Sequence, residues 1–394
     1  MTTRTVLVIN SGSSSIKYQL VDPDSGQSLA SGLVERIGEE TGTIIHRHAG
    51  EKTQLDEPVP DHGYGLSEVL RLFDEKGPTL SEANIVAVGH RVVQGGRYFS
   101  GPALVDEDVI AKISELVPLG PLHNPAHLKG IEVGLELLSD VPHVAVFDTA
   151  FFQDLPEEAA RYALKREVAD KYSIRRYGAH GTSHQFVSGE VSRMLGRDDL
   201  KQIVLHLGNG ASASAVVAGH AVDTSMGLTP LEGLVMGGRT GDIDPAAVFH
   251  LGRVAGMSVD EIDYLFNRES GMKGLAGDND MREVWKRIDA GEQDARDAMD
   301  IYLHRLVKYV GAYTAVMGGL DALTFTAGIG ENDDRLRAEL VERLEFMGMR
   351  IDADKNSVRS GEGRLVSTPD SAIAVLVYPT NEELAIARQA MTLI

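Results

Sequence analysis

A chain of 394 residues exceeds the size at which one hydrophobic core stops growing, so the sequence predicts two domains. The formal net charge of −20 argues against a duplex nucleic-acid binder, although local arginines can still bind a small anion. The lack of cysteine excludes disulfides, thiol nucleophiles and Cys-based zinc sites, and it fits a reducing compartment. Residues 1–5 carry one arginine and no long apolar run, which predicts a cytoplasmic protein without a membrane segment.

Two segments share one layout: an apolar strand, a turn of small residues and an alternating strand. They are VLVINSGSSSIKYQL at residues 6–20 and IVLHLGNGASASAVV at residues 203–217. Backbone N–H groups in such turns can bind an anion, so each turn is a candidate phosphate site. The pair suggests a duplicated core with one copy per domain. Two unrelated hairpins, each with an ordinary structural turn, are the alternative.

Further elements follow along the first half of the chain. IVAVGH at 85–90 reads as a strand that continues into RVVQGG. HNPAHLKGIEVGLELL at 123–138 predicts a helix capped by Asn124, with Pro125 at its first position. HVAVFDTAFF at 143–152 predicts a buried strand that carries Asp148 at its end.

The second half of the chain contains two more candidate ligand elements. LTFTAGIGEN at 323–332 predicts a strand and a glycine turn, followed by a helix whose N-terminal end suits an anion or polar ligand. The last helix begins in PTNEE, with Asn381 as its N-cap and Glu382 and Glu383 in its first turn. No segment has the spacing of a P-loop or a Rossmann motif.

Two arginines are candidates for binding an anion. Arg91 in GHRVVQGG and Arg239 in MGGRTGDIDP are each predicted to lie in a glycine-rich turn, where backbone can approach a ligand closely. The planar guanidinium matches phosphoryl or carboxylate oxygens in a bidentate manner. A surface ion pair is the alternative for each of them.

HGTSH at 180–184 has the histidine spacing of a zinc helix but lacks the glutamate of H-E-x-x-H, so zinc is disfavoured. His180 could instead donate a hydrogen bond into a site. Helix capping by Thr182 or Ser183, with His184 bonded to backbone, is the alternative. Asp148 and Glu382 could each bind Mg²⁺ or serve as turn and cap carboxylates.

These stretches together resemble the successive motifs of acetate kinases, in the same order from residue 7 to residue 383. The motifs are NSGSSSIKYQL, GHRVVQGG, PLHNP, FDTAFF, YGAHGTSH, HLGNGAS, LTPLEGLVMGGRTGDIDP, FTAGIGEN and PTNEE. The resemblance implies an α/β protein with the acetate-and-sugar-kinase/Hsp70/actin fold, which has duplicated RNase H-like cores and nucleotide in an interdomain cleft. It implies an acyl-substrate and phosphate domain at 1–152 plus 384–394, which includes the returning C-terminal helix, and a nucleotide-binding domain at 153–383.

The resemblance also implies a reaction and its partners. The expected reaction is reversible, Mg²⁺-dependent, direct in-line phosphoryl transfer between ATP and acetate, giving acetyl phosphate and ADP, with Mn²⁺ as a substitute metal. A homodimer without nucleic-acid or membrane partners, acting in acetyl-CoA biosynthesis, is expected. One alternative is a kinase for propionate or another short-chain acid. Another, from a different class, is an ATP-driven clamp like Hsp70 or actin, in which the two glycine-flanked arginines would have no obvious purpose.

Matching the motifs position by position assigns roles to individual residues. The catalytic residues would be Arg91, Asp148, His180 and Arg239. The metal ligands would be Asn10 and Glu382. Substrate would contact Arg91, Val93, Leu122, His123, Ala179 and Pro230. ATP would contact Ser13, Ser15, Lys17, His206, Leu207, Gly208, Asn209, Gly210, Asp280, Met281, Arg282, Gly328, Ile329, Gly330, Glu331 and Asn332.

Three positions depart from the usual family pattern. Ala179 stands where phenylalanine is common, which predicts a larger acyl pocket and better tolerance of propionate. The gain is bounded, because one methylene contributes only about 0.8 kcal/mol of burial. Gln94 stands where histidine is common and Gly238 where threonine is common. Neither change removes a charge, so activity is expected to survive.

Overall fold

The computed structural model describes residues 4–121 and 123–394. The chain divides into two compact units. Unit 1 comprises the chain up to Gln153 together with Asn381–Ile394, and unit 2 comprises Asp154–Thr380. The functions expected of the two domains stay predictions.

Unit 1 is built on an eight-stranded sheet with the order β5-β4-β3-β2-β1-β6-β8-β7. Its strands are β1 Thr5–Ser11, β2 Ser15–Val21, β3 Ser28–Glu35, β4 Gly42–His48, β5 Glu51–Glu57, β6 Ile85–Val92, β7 Ala103–Leu104 and β8 His143–Phe147. Its α-helices are α1 His62–Lys76, α2 Leu80–Ala83, α3 Glu107–Glu115, α4 Asn124–Leu137 and α16 Glu382–Met391. Short 3₁₀ turns cover Val117–Leu119 and Ala150–Phe152.

Unit 2 is built on a six-stranded sheet with the order β11-β10-β9-β12-β14-β13. Its strands are β9 Lys201–Leu207, β10 Ala211–Val217, β11 His220–Thr224, β12 Ala322–Thr326, β13 Arg364–Leu365 and β14 Ala374–Val377. Its α-helices are α5 Glu157–Ala160, α6 Arg166–Lys171, α7 Gly181–Leu195, α8 Ala246–Val254, α9 Val259–Arg268, α10 Gly271–Ala276, α11 Met281–Asp289, α12 Gln293–Met317, α13 Ala327–Asn332, α14 Asp334–Arg343 and α15 Ala353–Ser357. A 3₁₀ turn covers Glu345–Met347.

The two sheets contain the same five-stranded arrangement. In unit 1 the order is β3-β2-β1-β6-β8, with antiparallel pairs up to β1 and parallel pairs from β1 to β8. In unit 2 the order β11-β10-β9-β12-β14 has the same sequence of antiparallel and parallel pairs. The two similar hairpins of the sequence are β1–β2 and β9–β10, one in each copy. The predicted α/β class with duplicated cores is confirmed.

The central strands are apolar because they are covered on both faces. Strands β8 and β12 are buried at every position, and β1 is buried at all but Asn10. The last helix, α16, begins at the predicted N-cap, where the Asn381 side chain accepts a hydrogen bond from the Leu384 N–H at 3.0 Å. Its buried face packs on β1 and β6, so the chain ends in unit 1.

Two local predictions were wrong. Helix α4 is not capped by the side chain of Asn124. The Oδ1 of Asn124 instead accepts a hydrogen bond from the Gln94 N–H at 3.1 Å, and its Nδ2 donates to the Gln94 carbonyl at 3.0 Å. The glycine turn after β12 is the short helix α13. The Asn124 side chain bonds to a residue distant in sequence instead of capping its helix, and a short helical turn replaces the expected glycine turn.

Candidate active site

In unit 1, Arg91 and Asp148 form a buried ion pair at the ends of two neighbouring parallel strands. Arg91 donates from its Nη2 to Asp148 Oδ2 at 2.5 Å and from its Nε to Oδ1 at 3.3 Å. Only 1% of the Asp148 side chain is exposed. Glu382, in the first turn of α16, places its Oε2 3.7 Å from the Nε of Arg91. The sequence prediction of a turn position for Arg91 was wrong, because this residue lies within strand β6.

The first hairpin pairs with strand β6, which carries Arg91, and has polar residues at and near its turn. Asn10 and Lys17 are opposite each other across β1 and β2, and Lys17 is exposed. In the turn, the Gly12 N–H bonds the Ser15 carbonyl at 2.7 Å, and Ser13 is exposed. The β1–β2 hairpin therefore carries four of the predicted ligand residues: Asn10, Ser13, Ser15 and Lys17.

The carboxylates of unit 1 fit a divalent cation. The pKa of Glu382 is raised to about 7, first by burial and then by the nearby charges of Asp148 and Glu383. A bound cation would relieve this accumulation of negative charge. Among the described residues no group of three His, Cys, Asp or Glu side chains could hold a metal ion alone. Such a sparse donor set suits Mg²⁺, which is usually bound by one or two carboxylates together with substrate phosphates and water.

In unit 2, His180 and Arg239 approach the same glycine. A Cβ atom placed on Gly210 would lie 3.5 Å from His180 Nε2 and 3.8 Å from Arg239 Nη1. His180 is the N-cap residue of α7 and adopts a left-handed conformation with φ of 58°, which turns its ring out of the helix. Because glycine has no side chain, the turn of the second hairpin leaves this position open to a ligand.

Arg239 is a half-buried cation without a carboxylate partner among the described residues. Its Nη1 donates to the Pro230 carbonyl at 3.2 Å and lies 4.0 Å from the sulfur of Met236. Burial lowers the pKa of Arg239, and the nearby charge of Arg268 lowers it further. The predicted loop position of Arg239 is confirmed. An uncompensated guanidinium at this place suits an anionic ligand.

Unit 2 also contains a cavity of about 800 Å³, which is within the usual range for small-molecule sites. Seven predicted ATP residues line it: Asn209, Asp280, Met281, Arg282, Gly328, Ile329 and Asn332. The lining also includes residues that the sequence did not single out: Asn279, Trp285, Asp333, Asp334, Arg335 and Arg359. The indole ring of Trp285 stacks with the guanidinium of Arg335, whose central carbon is 4.1 Å from the ring centroid, and both residues line the cavity.

The other predicted ATP residues of unit 2 lie outside the lining of this cavity. Leu207 is fully buried in the hydrophobic core, and His206 bonds to Ser183. Gly208 and Gly210 close the second hairpin through a 3.0 Å backbone hydrogen bond. Gly330 accepts from the buried Arg337 through its carbonyl oxygen.

The side chain of Glu331 points back to the protein rather than to a ligand. Its Oε1 accepts from the N–H groups of Ala327 at 2.8 Å and Thr380 at 3.1 Å. Ala327 has a φ of 65°, which costs free energy in a residue with a Cβ. Glu331 therefore stabilises the strained start of α13 and takes up one N–H group that the sequence analysis assigned to an anion.

The predicted acyl-binding residues fall in both units. Val93 is buried and His123 is half-buried in unit 1. Ala179 is buried in the core of unit 2, and Pro230 is half-buried in the loop that bonds Arg239. Leu122 lies outside the described residues.

The HGTSH segment differs from the sequence alternative. Helix α7 begins directly after His180, so Thr182 and Ser183 are in its first turn and do not cap it. His184 is fully buried, and its two ring nitrogens contact the hydroxyls of Ser212 and Ser214. Sequence reasoning missed these serines, which are residues of the alternating strand ASASAVV and face one side of it.

His127 is another buried group that the sequence analysis missed. Both of its ring nitrogens are buried and have no hydrogen-bond partner in the part of the chain that the structure describes, and neither has Ser11 Oγ. Burial holds the pKa of His127 well below its usual value, and the charge of Arg91 lowers it further. Its position four residues after His123, on the same helix face, is the signal that would have indicated it.

The duplicated α/β cores, the two half-buried arginines and the nucleotide-sized cavity define a phosphotransferase of the acetate-and-sugar-kinase fold. The model of the acetokinase family matches residues 5–388. A protein of Streptomyces avermitilis described as acetate kinase is 54% identical over 393 residues, which cover 99% of this chain and 97% of that protein. The chain therefore belongs to the acetokinase family.

Two solved structures are similar over nearly their whole length. Acetate kinase from Porphyromonas gingivalis superposes with a TM-score of 0.94 at 43% identity, over 99% of both chains. A propionate kinase from Francisella tularensis gives a TM-score of 0.94 at 42% identity, over 99% of this chain and 100% of that chain. Their similarity to this chain confirms the predicted fold. In the described residues no helix is long and apolar enough to cross a membrane.

Proposed function

We propose that this protein catalyses reversible phosphoryl transfer between ATP and acetate, forming acetyl phosphate and ADP. The observation that carries the proposal is the match of the acetokinase family to residues 5–388, together with 54% identity to a protein described as acetate kinase. The cavity lined by residues 280–282 together with Gly328, Ile329 and Asn332 supports binding of the nucleotide to unit 2.

The reaction needs charge neutralisation more than proton transfer. The pKa of acetate should lie near that of a glutamate side chain, about 4.3, so the acceptor is already ionised at neutral pH. The difficulty is the approach of this anion to the γ-phosphate, which is itself anionic. We assign Arg91 and Arg239 to binding the acyl phosphate and the transferred phosphoryl group, with His180 as a hydrogen-bond donor to that group.

Asp148 is given an orienting role in this mechanism. Its carboxylate is almost fully buried and accepts both hydrogen bonds from Arg91. A carboxylate held in this way fixes the plane of the guanidinium. Since the acceptor carries no proton at neutral pH, proton abstraction by Asp148 is not required.

We propose that Asn10 and Glu382 hold Mg²⁺, with the carboxylate of Asp148 near it. The metal would supply charge neutralisation of the phosphates and would orient them for in-line transfer. The charge of Asp148 near Glu382 supports this assignment, because a cation would compensate two neighbouring carboxylates. Mn²⁺ is expected to substitute, since both ions accept oxygen ligands.

A propionate kinase is the second candidate function. The structural similarity to the Francisella tularensis propionate kinase and the small side chain at position 179 favour it. We propose that the acyl pocket includes Val93, Leu122, His123, Ala179 and Pro230. An alanine there should admit one more methylene, and kcat/KM for propionate should lie within about tenfold of the acetate value.

The homodimer, a cytoplasmic location and a role in acetyl-CoA biosynthesis are proposed from the family resemblance. Exposed apolar side chains around α8 and α9, including Phe249, Val254 and Val259, support a protein partner for unit 2. A second copy is the proposed partner, and light scattering coupled to size exclusion would test it. A monomeric mass at micromolar concentration would contradict the dimer.

The direct test traps the product with hydroxylamine. Purified protein with ATP, Mg²⁺ and acetate should release ADP and form acetyl hydroxamate in equal amounts. ATP hydrolysis without hydroxamate would contradict the proposal and support an ATP-driven clamp. Rates on acetate, propionate and butyrate, for the protein and for Ala179→Phe, decide the acyl preference. A specificity constant that drops a hundredfold at propionate would exclude the larger pocket.

A further inference from the structure

A buried chain of hydrogen bonds runs from strand β10 to the ring of His180. Ser214 Oγ lies 2.8 Å from His184 Nδ1, and His184 Nε2 lies 2.7 Å from Ser212 Oγ. Ser212 Oγ in turn lies 2.9 Å from His180 Nδ1. His184, Ser212 and Ser214 are all fully buried, so no solvent can replace a missing bond in this chain.

The number of hydrogens available to these side chains restricts the direction in which the hydrogen bonds are donated. Burial holds the pKa of His184 well below its usual value, so this ring is neutral and has one N–H group and one acceptor nitrogen. If Ser214 donates to His184 Nδ1, then His184 Nε2 donates to Ser212, and the Ser212 hydroxyl donates to His180 Nδ1. Every donor in the chain is then used.

The opposite direction leaves a buried donor without an acceptor. His180 Nδ1 would donate to Ser212, Ser212 to His184 Nε2, and His184 Nδ1 to Ser214. The hydroxyl hydrogen of Ser214 would then have no acceptor among the described residues, where its Oγ meets only His184. An unsatisfied buried donor is strongly unfavourable, so the first direction is favoured.

We propose that Ser214, His184 and Ser212 are positioning residues that hold His180 as its Nε2–H tautomer, with that N–H directed to the space beside Gly210. The inference rests on the proposed function, in which His180 donates a hydrogen bond to the transferred phosphoryl group. The other tautomer would present a lone pair to the anion and would repel it.

Stacking against a second imidazole ring also restricts the ring of His180. The rings of His180 and His206 are stacked, with centroids 4.2 Å apart and planes inclined by 23°. His206 Nδ1 lies 2.8 Å from Ser183 Oγ, and that hydroxyl contacts Thr380 Oγ1 at 2.8 Å. The stack fixes the plane of the ring, and the serine chain fixes which nitrogen carries the hydrogen.

Nitrogen NMR of protein labelled with ¹⁵N-histidine tests the tautomer. The His180 signals are assigned by their loss in His180→Asn. At neutral pH we expect a protonated Nε2 and a bare Nδ1 in the full-length protein. A protonated Nδ1, in either the neutral or the doubly protonated ring, would overturn the proposal. This measurement does not depend on turnover, so failure of the proposed reaction would leave its result intact.

Two variants test whether the chain sets the tautomer and supports catalysis. Ser214→Ala touches neither His180 nor any proposed ligand, yet it should shift the His180 nitrogen signals towards a mixture of tautomers. Its kcat should fall about twofold if the two tautomers become equally populated. Ser212→Ala should lower kcat by about 10–100-fold, as losses of orienting partners do for metal-bound histidines, with KM for ATP within threefold.

Controls separate this role from simple loss of structure. Ser212→Thr keeps the hydroxyl and should restore most of kcat. Ser188→Ala removes another buried hydroxyl of α7, one that donates to the Gln185 carbonyl at 3.2 Å, and should change neither the His180 signals nor kcat. Unchanged His180 signals in Ser214→Ala, or equal effects in Ser188→Ala and Ser212→Ala, would refute the positioning role.

Discussion

Each of the two units holds one arginine that we assign to phosphoryl oxygens, and the two guanidinium groups have different surroundings. In unit 1, Arg91 is bonded to Asp148 and lies near Glu382. Although burial acts to lower it, the pKa of Arg91 is raised by these carboxylates. In unit 2, Arg239 meets a carbonyl oxygen and a sulfur atom, and its pKa is lowered by burial and by Arg268.

The two arginines therefore differ in whether the protein itself compensates their positive charge. The charge of Arg91 is compensated within the fold, so this residue contributes to stability and its orientation is fixed before a ligand binds. The charge of Arg239 is compensated by no carboxylate of the described residues, so an anionic ligand would supply the missing partner. Removing each arginine should therefore affect activity and stability in different proportions.

Arg91→Met should give the largest combined loss. The change removes the guanidinium that donates two hydrogen bonds to the buried carboxylate of Asp148, which should destabilise unit 1 by about 3–5 kcal/mol. It should also lower kcat/KM by about 10³-fold, because a guanidinium aimed at the phosphoryl group is removed. Thermal denaturation and steady-state kinetics measure the two effects. In the double variant with Asp148→Leu stability should return while activity stays low, and recovery of both would contradict the assignment.

Arg239→Met should lower activity as strongly without the loss of stability. A half-buried cation without a carboxylate partner among the described residues is replaced by an apolar side chain. The Pro230 carbonyl loses a charge-assisted hydrogen bond worth about 1.5–3 kcal/mol, and this loss is offset because the desolvation cost of the cation is removed as well. We expect kcat/KM to fall by about 10³-fold, with a denaturation midpoint close to that of the parent protein. If Arg239→Met lowers the midpoint as much as Arg91→Met, the contrast between the two arginines is wrong.

The strands and the last helix were predictable because their signals are local. Alternating and continuous apolar runs indicated β1, β6 and β12, and the N-cap at Asn381 followed from PTNEE. Family motifs indicated candidate ligand residues in two segments, and six of these residues line one cavity: Asp280, Met281, Arg282, Gly328, Ile329 and Asn332.

What the sequence could not indicate depends on partners distant in the chain. The pairing of Arg91 with Asp148 joins residues on two different strands, and the glycines after β6 made the arginine look like part of a turn. The serines of β10 read as ordinary alternating strand residues until α7 placed His184 against them. The side chain of Glu331 looked ligand-facing until its bonds to Ala327 and Thr380 were visible.

Gly237→Ala should have an intermediate effect on activity, because Gly237 joins the Arg239 loop to Asn209, which lines the nucleotide cavity. The Gly237 N–H donates to the Asn209 carbonyl at 2.9 Å, and an added Cβ would lie 2.0 Å from Asn209 Oδ1. Asn209 would have to rotate and lose its 3.0 Å hydrogen bond from Asn279. We expect KM for ATP to rise about tenfold, equivalent to about 1.4 kcal/mol of binding. KM for acetate should stay within twofold, and a rise in it alone would show that the loop serves the acyl site instead.

Gly238→Thr should give the smallest effect and provides the matched control for Gly237→Ala. The nearest atom to an added Cβ is the Arg268 carbonyl oxygen at 3.5 Å, an ordinary van der Waals distance. The threonine that is common in the family should therefore fit without moving Arg239, and kcat/KM should change by less than about threefold. Kinetics of the two variants measured side by side test this. A loss in Gly238→Thr as large as that in Gly237→Ala would mean that this glycine, rather than the absence of space beside Asn209, sets the orientation of the Arg239 guanidinium.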